Sequence, residues 1–270
     1  MNCKKLRLGL VGKDVSKSES ERIHRFILSQ LNVACEYEKF SIPSTDFDNT
    51  IHHLLGDFDG FNITIPYKRD VMEYLDDIQG DAVTFSAVNT VVCARRAGYN
   101  TDGVGFLQML TQAGVQVKGK KTLVLGGGGS GRSSAKALQG AGADVYLYQR
   151  NQEQLLHTCQ ELRLQAATPS QVEAGGFDVI VNCTGVGMHD TEGKSPVSLS
   201  SFNGAEWAID LIYTPPVSEF LRQAAQKGVK TLNGASMLFY QAYYADCIFL
   251  NLQPSSAQAI ELYEKYLLQK

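Results

Sequence analysis

"LVLGGGGSGRSSAKAL", residues 123–138, sets four consecutive glycines between an apolar run and a helix-forming run. Within it the spacing Gly126-x-Gly128-x-x-Gly131 falls where a strand would hand over to a helix. Gly126 permits the tight turn, Gly128 lets backbone amides approach a pyrophosphate, and Gly131 lets the helix pack closely on the strand. The helix start then offers free N–H groups and the positive end of its dipole to an anion. A flexible glycine linker would share the composition but lack these flanks. The stretch predicts a dinucleotide-binding βαβ unit, with Gly126, Gly127, Gly128, Gly129, Ser130 and Gly131 as the cofactor loop.

The end of the next strand distinguishes the two nicotinamide nucleotides. An NAD-binding unit places Asp or Glu there to hold the ribose 2′-hydroxyl. Here "YLYQRNQ" (146–152) offers Gln149 and Arg150 and no carboxylate. A guanidinium suits a 2′-phosphate, because its planar fork forms two parallel charged hydrogen bonds. An ordinary solvated arginine after a strand is the plain alternative. The expectation is NADP (NADPH).

Outward from the loop, short apolar runs alternate with helical patterns, as in α/β proteins with parallel sheets. Strands are expected at 6–12, 35–42 and 60–65, and helices at 18–31 and 44–55. A hairpin around Arg95–Arg96 precedes a helix starting near Thr101. A second series then opens at "KTLVLG" (121–126) and runs through 144–149, 178–183 and 205–213. Residues 235–268 read as helical, broken near Pro254. Two domains follow: 1–103, completed by helices 235–270, and a Rossmann-type 104–234.

The 270 residues carry a net charge of −3, which argues against nucleic acid as the main partner. Cysteines at 3, 35, 93, 159, 183 and 247 show no CxxC pair and no metal-ligand rhythm. They read as small, mostly buried apolar residues of a reducing compartment, and the start "MNCKKLRLGLVG" has too short an apolar stretch for a signal peptide. With no membrane span in sight, a cytoplasmic protein is expected. His52, His53, His157 and His189 have neither metal nor triad spacing, so no metal site is expected.

Polar residues gather at strand ends in the first half, where α/β sheets place ligand sites. They are Ser18 and Ser20 in "VSKSES", Asn62, Thr64 and Lys68 in "FNITIPYK", Asn89 in "SAVNT" and Asp102 in "GYNTDG". Each has a plain explanation. Ser18 with Glu21 forms an S-x-x-E capping box; the asparagines could satisfy turn backbone; Asp102 could cap the helix it begins. Lys68 resists such an explanation. Pro66 suits the first helical position, which would put Lys68 in the first turn, where the dipole disfavours a cation. A carboxylate such as Asp102 would hold it there.

The ordered set of these segments resembles the shikimate dehydrogenase family, from about residue 6 to residue 245. That family's S-x-S-P-x-x-H is matched by Ser18-Glu-Ser20-Glu-Arg-Ile-His24, and its N-V-T-x-P-x-K by Asn62-Ile-Thr64-Ile-Pro66-Tyr-Lys68. A-V-N-T and G-x-N-T-D-G-x-G appear at 87–90 and 98–105, and the glycine loop and N-R-T at 126–132 and 149–151. N-A-T-x-x-G-M, D-x-x-Y-x-P and G-x-x-M-L-x-x-Q are matched at 182–188, 210–215 and 234–241. Three departures stand out: Glu21 for the usual proline, Arg25 where asparagine is common, and an altered aromatic pattern after Gln241.

The resemblance implies reversible, NADPH-dependent reduction of 3-dehydroshikimate to shikimate by a monomer or homodimer. It casts Lys68 as proton donor and acceptor, oriented by Asp102, which meets the need for a cationic hydrogen-bonding group at the developing alkoxide. It assigns Ser18 and Ser20 to the substrate carboxylate, with Tyr213 assisting. Thr64, Asn89, Asp102 and Gln241 take hydroxyls. Leu211, Gly234 and Met237 fall to the cofactor, although Met237 reads equally as core. His24 sits on a helix face and reads as structural. The rivals are a quinate or aminoshikimate dehydrogenase of the same superfamily, a folate-linked methylene dehydrogenase, which the serines and "NTDG" do not fit, and a non-catalytic sensor.

Overall fold

A computed structural model describes residues 5–269, so Cys3 lies outside the described residues. The chain forms two compact units, 1–105 with 238–270, and 106–237.

The first unit begins with β1 (Leu6–Gly12), α1 (Ser20–Gln30), β2 (Cys35–Ser41), α2 (Phe47–Asp57) and β3 (Gly60–Ile63). β4 (Asp77–Ile78), α3 (Asp81–Phe85), β5 (Thr90–Val92), β6 (Ala97–Tyr99) and the start of α4 (Asp102–Gln112) follow. Its sheet runs β2-β1-β3-β5-β6-β4, with β5 antiparallel to both neighbours and the other pairings parallel. α1 forms because Ile23, Phe26 and Ile27 recur on one face and bury there. Val11, Ile51, Leu54, Phe61, Ile63 and Val91 fill the core on one side of the sheet. Gly12 lies so close to Thr64 and Val15 that an added Cβ would sit 2.5 Å from the Thr64 methyl, which forces glycine at this strand end.

The second unit carries β7 (Lys121–Leu125), α5 (Gly129–Gly140), β8 (Asp144–Tyr148), α6 (Gln152–Leu162), β9 (Gln165–Ala166) and α7 (Pro169–Ala174). β10 (Val179–Asn182), β11 (Trp207–Asp210), α8 (Glu219–Gln226) and β12 (Lys230–Asn233) complete its sheet. The order β12-β11-β10-β7-β8-β9 is parallel throughout, the doubly wound arrangement that binds dinucleotides where the strand order reverses. β10 reads "VIVN" and is buried at all four positions, because a parallel strand is covered on both faces. α9 (Ala235–Phe249) and α10 (Ser256–Leu267) follow, and the unit divisions fall within α4 and α9.

Two local expectations are corrected. Pro66 does not open a helix: residues 65–69 form a turn with a cis Ile65–Pro66 bond, and a short 3-10 helix begins only at Asp70. The Ser18–Glu21 capping box does not form either. α1 starts after Glu19 with no side-chain cap, the Ser18 hydroxyl turns to Ser20, and Glu21 is held by Arg25 at 3.0 Å.

Candidate active site

Lys68 sits on the turn after β3, and its carbonyl accepts from the Val88 N–H at 2.7 Å, which pins the turn against the approach to β5. From there its Nζ donates to Asp102 Oδ2 at 2.5 Å. Both side chains are largely withdrawn from water, at 12 % and 7 % exposure. A pair so placed loses hydration but gains an undiluted charge interaction, and each partner offsets the other's burial. Asp102 owes its place to Asn100, whose side chain accepts from the Asp102 N–H at 2.9 Å and starts α4.

The other carboxylate oxygen, Asp102 Oδ1, accepts from Asn89 Nδ2 at 2.8 Å. Asn89 is itself fixed: its Oδ1 accepts from the Thr101 N–H at 2.9 Å and from Thr90 Oγ1 at 2.9 Å. Asn89 Nδ2 also lies 3.5 Å from Gln241 Oε1, on α9. A close approach makes this contact possible, since a Cβ on Gly105 would stand 2.7 Å from the Gln241 backbone nitrogen. Lys68, Asn89, Asp102 and Gln241 thus form one connected polar cluster. Ser18 and Ser20 form a second group at the start of α1, 3.0 Å apart between hydroxyls, with Ser20 buried. Thr64 directly follows β3, with its N–H bound to the Val11 carbonyl at 2.9 Å.

Thr101, Asn100 and Thr90 were not singled out for these supporting roles, whereas Asn62 was read as a residue that satisfies backbone. Asn62 Nδ2 donates to the Asn89 carbonyl and to Thr90 Oγ1, each at 3.2 Å. The dense polar string "YNTDG" at a strand-to-helix turn was the available signal: such strings form where side chains hold backbone groups.

In the second unit the glycine loop has the shape required for a pyrophosphate. Gly126 adopts φ +99°, and a Cβ on Gly131 would lie 1.9 Å from the Gly126 carbonyl oxygen. Gly128 precedes α5 with no side-chain cap, which leaves the first-turn N–H groups of Gly129, Ser130 and Gly131 directed outward, and the space over Gly128 is open. Gly127 packs against Gln149, whose amide oxygen would be 2.3 Å from an added Cβ. Arg150 follows β8, exposed and without an ion pair among the described residues. These residues fit a dinucleotide carrying an extra phosphate. Burial pushes the neighbouring Cys183 thiol up to about 12, so it is a packing group and not a nucleophile.

At the end of β11, Asp210 is wholly buried and accepts from Asn182 Nδ2 at 3.0 Å, from the Ile212 N–H at 3.0 Å and from the Ser218 hydroxyl. Burial pushes its carboxyl up to about 6 against these hydrogen bonds. A Cβ on Gly234 would stand 2.3 Å from the Leu211 carbonyl oxygen, so the two meet backbone to backbone. Met237 is buried, and Tyr213 is partly exposed. Among the described residues no cluster of metal-ligating side chains occurs, and no helix is long and apolar enough to cross a membrane.

Residues 10–91 match the family model described as shikimate dehydrogenase substrate binding domain. The chain is similar to a shikimate dehydrogenase (NADP(+)) of Clostridium botulinum, 34% identical over 88% of this chain and 93% of the relative. A Thermus thermophilus protein of the same name is 35% identical over 92% of this chain and 94% of its own. Among solved structures, a shikimate dehydrogenase of Peptoclostridium difficile superposes with a TM-score of 0.88 at 31% identity, covering 98% of both chains. The Thermus thermophilus enzyme in complex with NADP(H) and shikimate gives 0.87 at 32% identity, covering 96% of this chain and 99% of that one.

Proposed function

Since the chain belongs to the shikimate dehydrogenase family, we propose that it interconverts 3-dehydroshikimate and shikimate with NADP, using Lys68 as proton donor and acceptor. The observation that carries this reading is the largely buried Lys68–Asp102 pair, steered by Asn89. When bound, NADPH supplies a hydride to the ketone carbon. The Lys68 ammonium faces the oxygen on which negative charge develops, stabilises it and hands over a proton. In the reverse direction the same nitrogen takes the proton from the substrate hydroxyl. Asp102 fixes the ammonium and accepts from an adjacent substrate hydroxyl.

Ser18 and Ser20 bind the substrate carboxylate, assisted by Tyr213, and Thr64, Asn89 and Gln241 take hydroxyls. A hydroxyl donates and an amide both donates and accepts, which suits a small polyhydroxy acid. The glycine loop from Gly126 to Gly131 holds the pyrophosphate, Gln149 and Arg150 take the 2′-phosphate side, and Leu211, Gly234 and Met237 flank the nicotinamide. Residues 1–103 with 235–270 then serve the substrate, and 104–234 the nucleotide. The five described cysteines are free thiols, which supports a reducing cytoplasmic setting.

Two family departures, Glu21 and Arg25, bind each other one turn apart on the exposed side of α1 and leave both serines in mutual contact. This supports shikimate over quinate or aminoshikimate. The test is a panel of the three alcohols with NADP and NAD, read at the nicotinamide absorbance band. Turnover of shikimate with NADP is the expected result. Binding of both ligands without absorbance change would make the protein a sensor.

A further inference from the structure

α1 and α9 meet through two ionisable side chains that the proposed reaction does not use. His24 Nδ1 and Asp246 Oδ1 lie 2.7 Å apart, within hydrogen-bond distance, and both residues are fully buried. Burial pushes the Asp246 carboxyl up and His24 draws it down, with burial the larger effect. The pair is incompletely satisfied: among the described residues, His24 Nε2 and Asp246 Oδ2 have no hydrogen-bond partner. A buried pair of this kind adds little to stability compared with well-packed apolar residues, and its hydrogen-bond direction fixes orientation instead. Phe239, Ala242, Tyr243 and Ala245 already give α9 ample apolar packing.

The pair is placed where orientation matters. His24 lies one turn after Ser20 on α1, on the same face. Asp246 lies a turn and a half after Gln241 on α9. The His24 ring also stacks on Tyr37, with centroids 4.8 Å apart and planes 17° apart. Burial pushes the Tyr37 phenol well up, so it stays protonated and donates to Asn62 Oδ1 at 3.0 Å. Asn62 in turn donates to the Asn89 carbonyl and Thr90, and Asn89 donates to Asp102. An unbroken set of contacts thus runs from Asp246 to the residue that holds Lys68.

We infer that His24 and Asp246 are positioning residues, which set Ser20, Gln241 and, through Tyr37 and Asn62, Asn89 to the geometry that binds shikimate. The inference rests on the substrate reading given under Proposed function. Apolar replacement should keep the fold and lose this setting.

The experiment measures kcat, the KM values for shikimate and NADP, and thermal unfolding for wild type, Asp246→Asn, the double variant His24→Phe with Asp246→Leu, and Tyr37→Phe. Asp246→Asn keeps an acceptor for His24 and is expected to retain the wild-type shikimate KM. The double variant is expected to unfold near the wild-type temperature and raise the shikimate KM about tenfold, the factor for one mis-set hydrogen bond to a ligand. Its kcat and NADP KM should stay within about threefold of wild type, since a factor of three is under 1 kcal/mol. Should the double variant not fold, Tyr37→Phe, which removes a single hydroxyl, carries the test with the same direction expected. An unchanged shikimate KM in a folded double variant or in Tyr37→Phe overturns the inference, as does an equal rise in the NADP KM. Wild-type protein without shikimate turnover overturns the substrate reading and the inference together, whereas active wild type with unaltered variants overturns the inference alone.

Discussion

Lys68 Nζ and Asp102 Oδ2 are 2.5 Å apart although 34 residues separate them in the chain, and Asn89 binds the second oxygen of the same carboxylate. The turn after β3, the approach to β5 and the first residue of α4 converge on this contact. It places an ammonium and a carboxylate together in a largely desolvated setting, where each acts more strongly than in water.

The first consequence concerns Asp102→Asn. The amide keeps the shape and an acceptor for Lys68 but loses the charge that holds the ammonium. We expect kcat to fall about 100-fold, at the lower end of acid–base contributions, with a rise in the shikimate KM. Steady-state assays at saturating NADP measure both, and a kcat within twofold of wild type would remove Asp102 from the mechanism.

Arg150 offers a guanidinium free of any ion pair among the described residues, at the end of β8. Arg150→Ala should raise the NADP KM by roughly 10- to 100-fold, the value of a charge-assisted hydrogen bond of about 1.5–3 kcal/mol. Use of NAD should not change. Equal losses with both nucleotides would assign Arg150 a structural role.

Gly131→Ala tests the loop itself. The new methyl would meet the Gly126 carbonyl oxygen at 1.9 Å, so loop and helix must part. Overpacking of this kind costs about 1–3 kcal/mol, and NADP affinity measured by calorimetry should fall at least tenfold. Shikimate binding should persist.

Asp210 makes stability depend on pH. Its carboxyl titrates near 6 in the folded chain against an ordinary value of 3.8. Between these values the unfolded chain binds fewer protons, so the contribution is fully present below 3.8 and is lost as pH rises through about 6. The change amounts to roughly 3 kcal/mol. Asp210→Asn lacks this ionisation. Denaturant unfolding of both proteins should show the variant gaining on wild type as pH rises from below 3.8 to above about 6. A constant difference would contradict the assignment.

Much of this was legible in the sequence for identifiable reasons. The run 123–138 marked β7 and α5 because the glycine spacing and its flanks have one steric solution. β10 was legible as a short apolar run, since a parallel strand buries both faces. β4 and β9, two residues each, are too short to show a period, and β12 reads "KTLN", with Lys230 and Thr231 exposed, so no apolar signal marks it. Lys68 was recognised as a cation needing a partner, but the helix invoked to explain it is a turn. Local preference put Pro66 at a helix start; the Val88–Lys68 backbone bond, a contact across 20 residues, decided otherwise. The pairing of His24 with Asp246 joins positions 222 residues apart and had no local signature.

The most direct test of the account is the turnover number of Lys68→Ala with shikimate and NADP, measured beside NADP affinity and thermal unfolding. The account predicts a kcat reduced by about 1,000-fold or more, within the range of acid–base contributions, in a folded protein that binds NADP as wild type does. Turnover within a few-fold of wild type would contradict it.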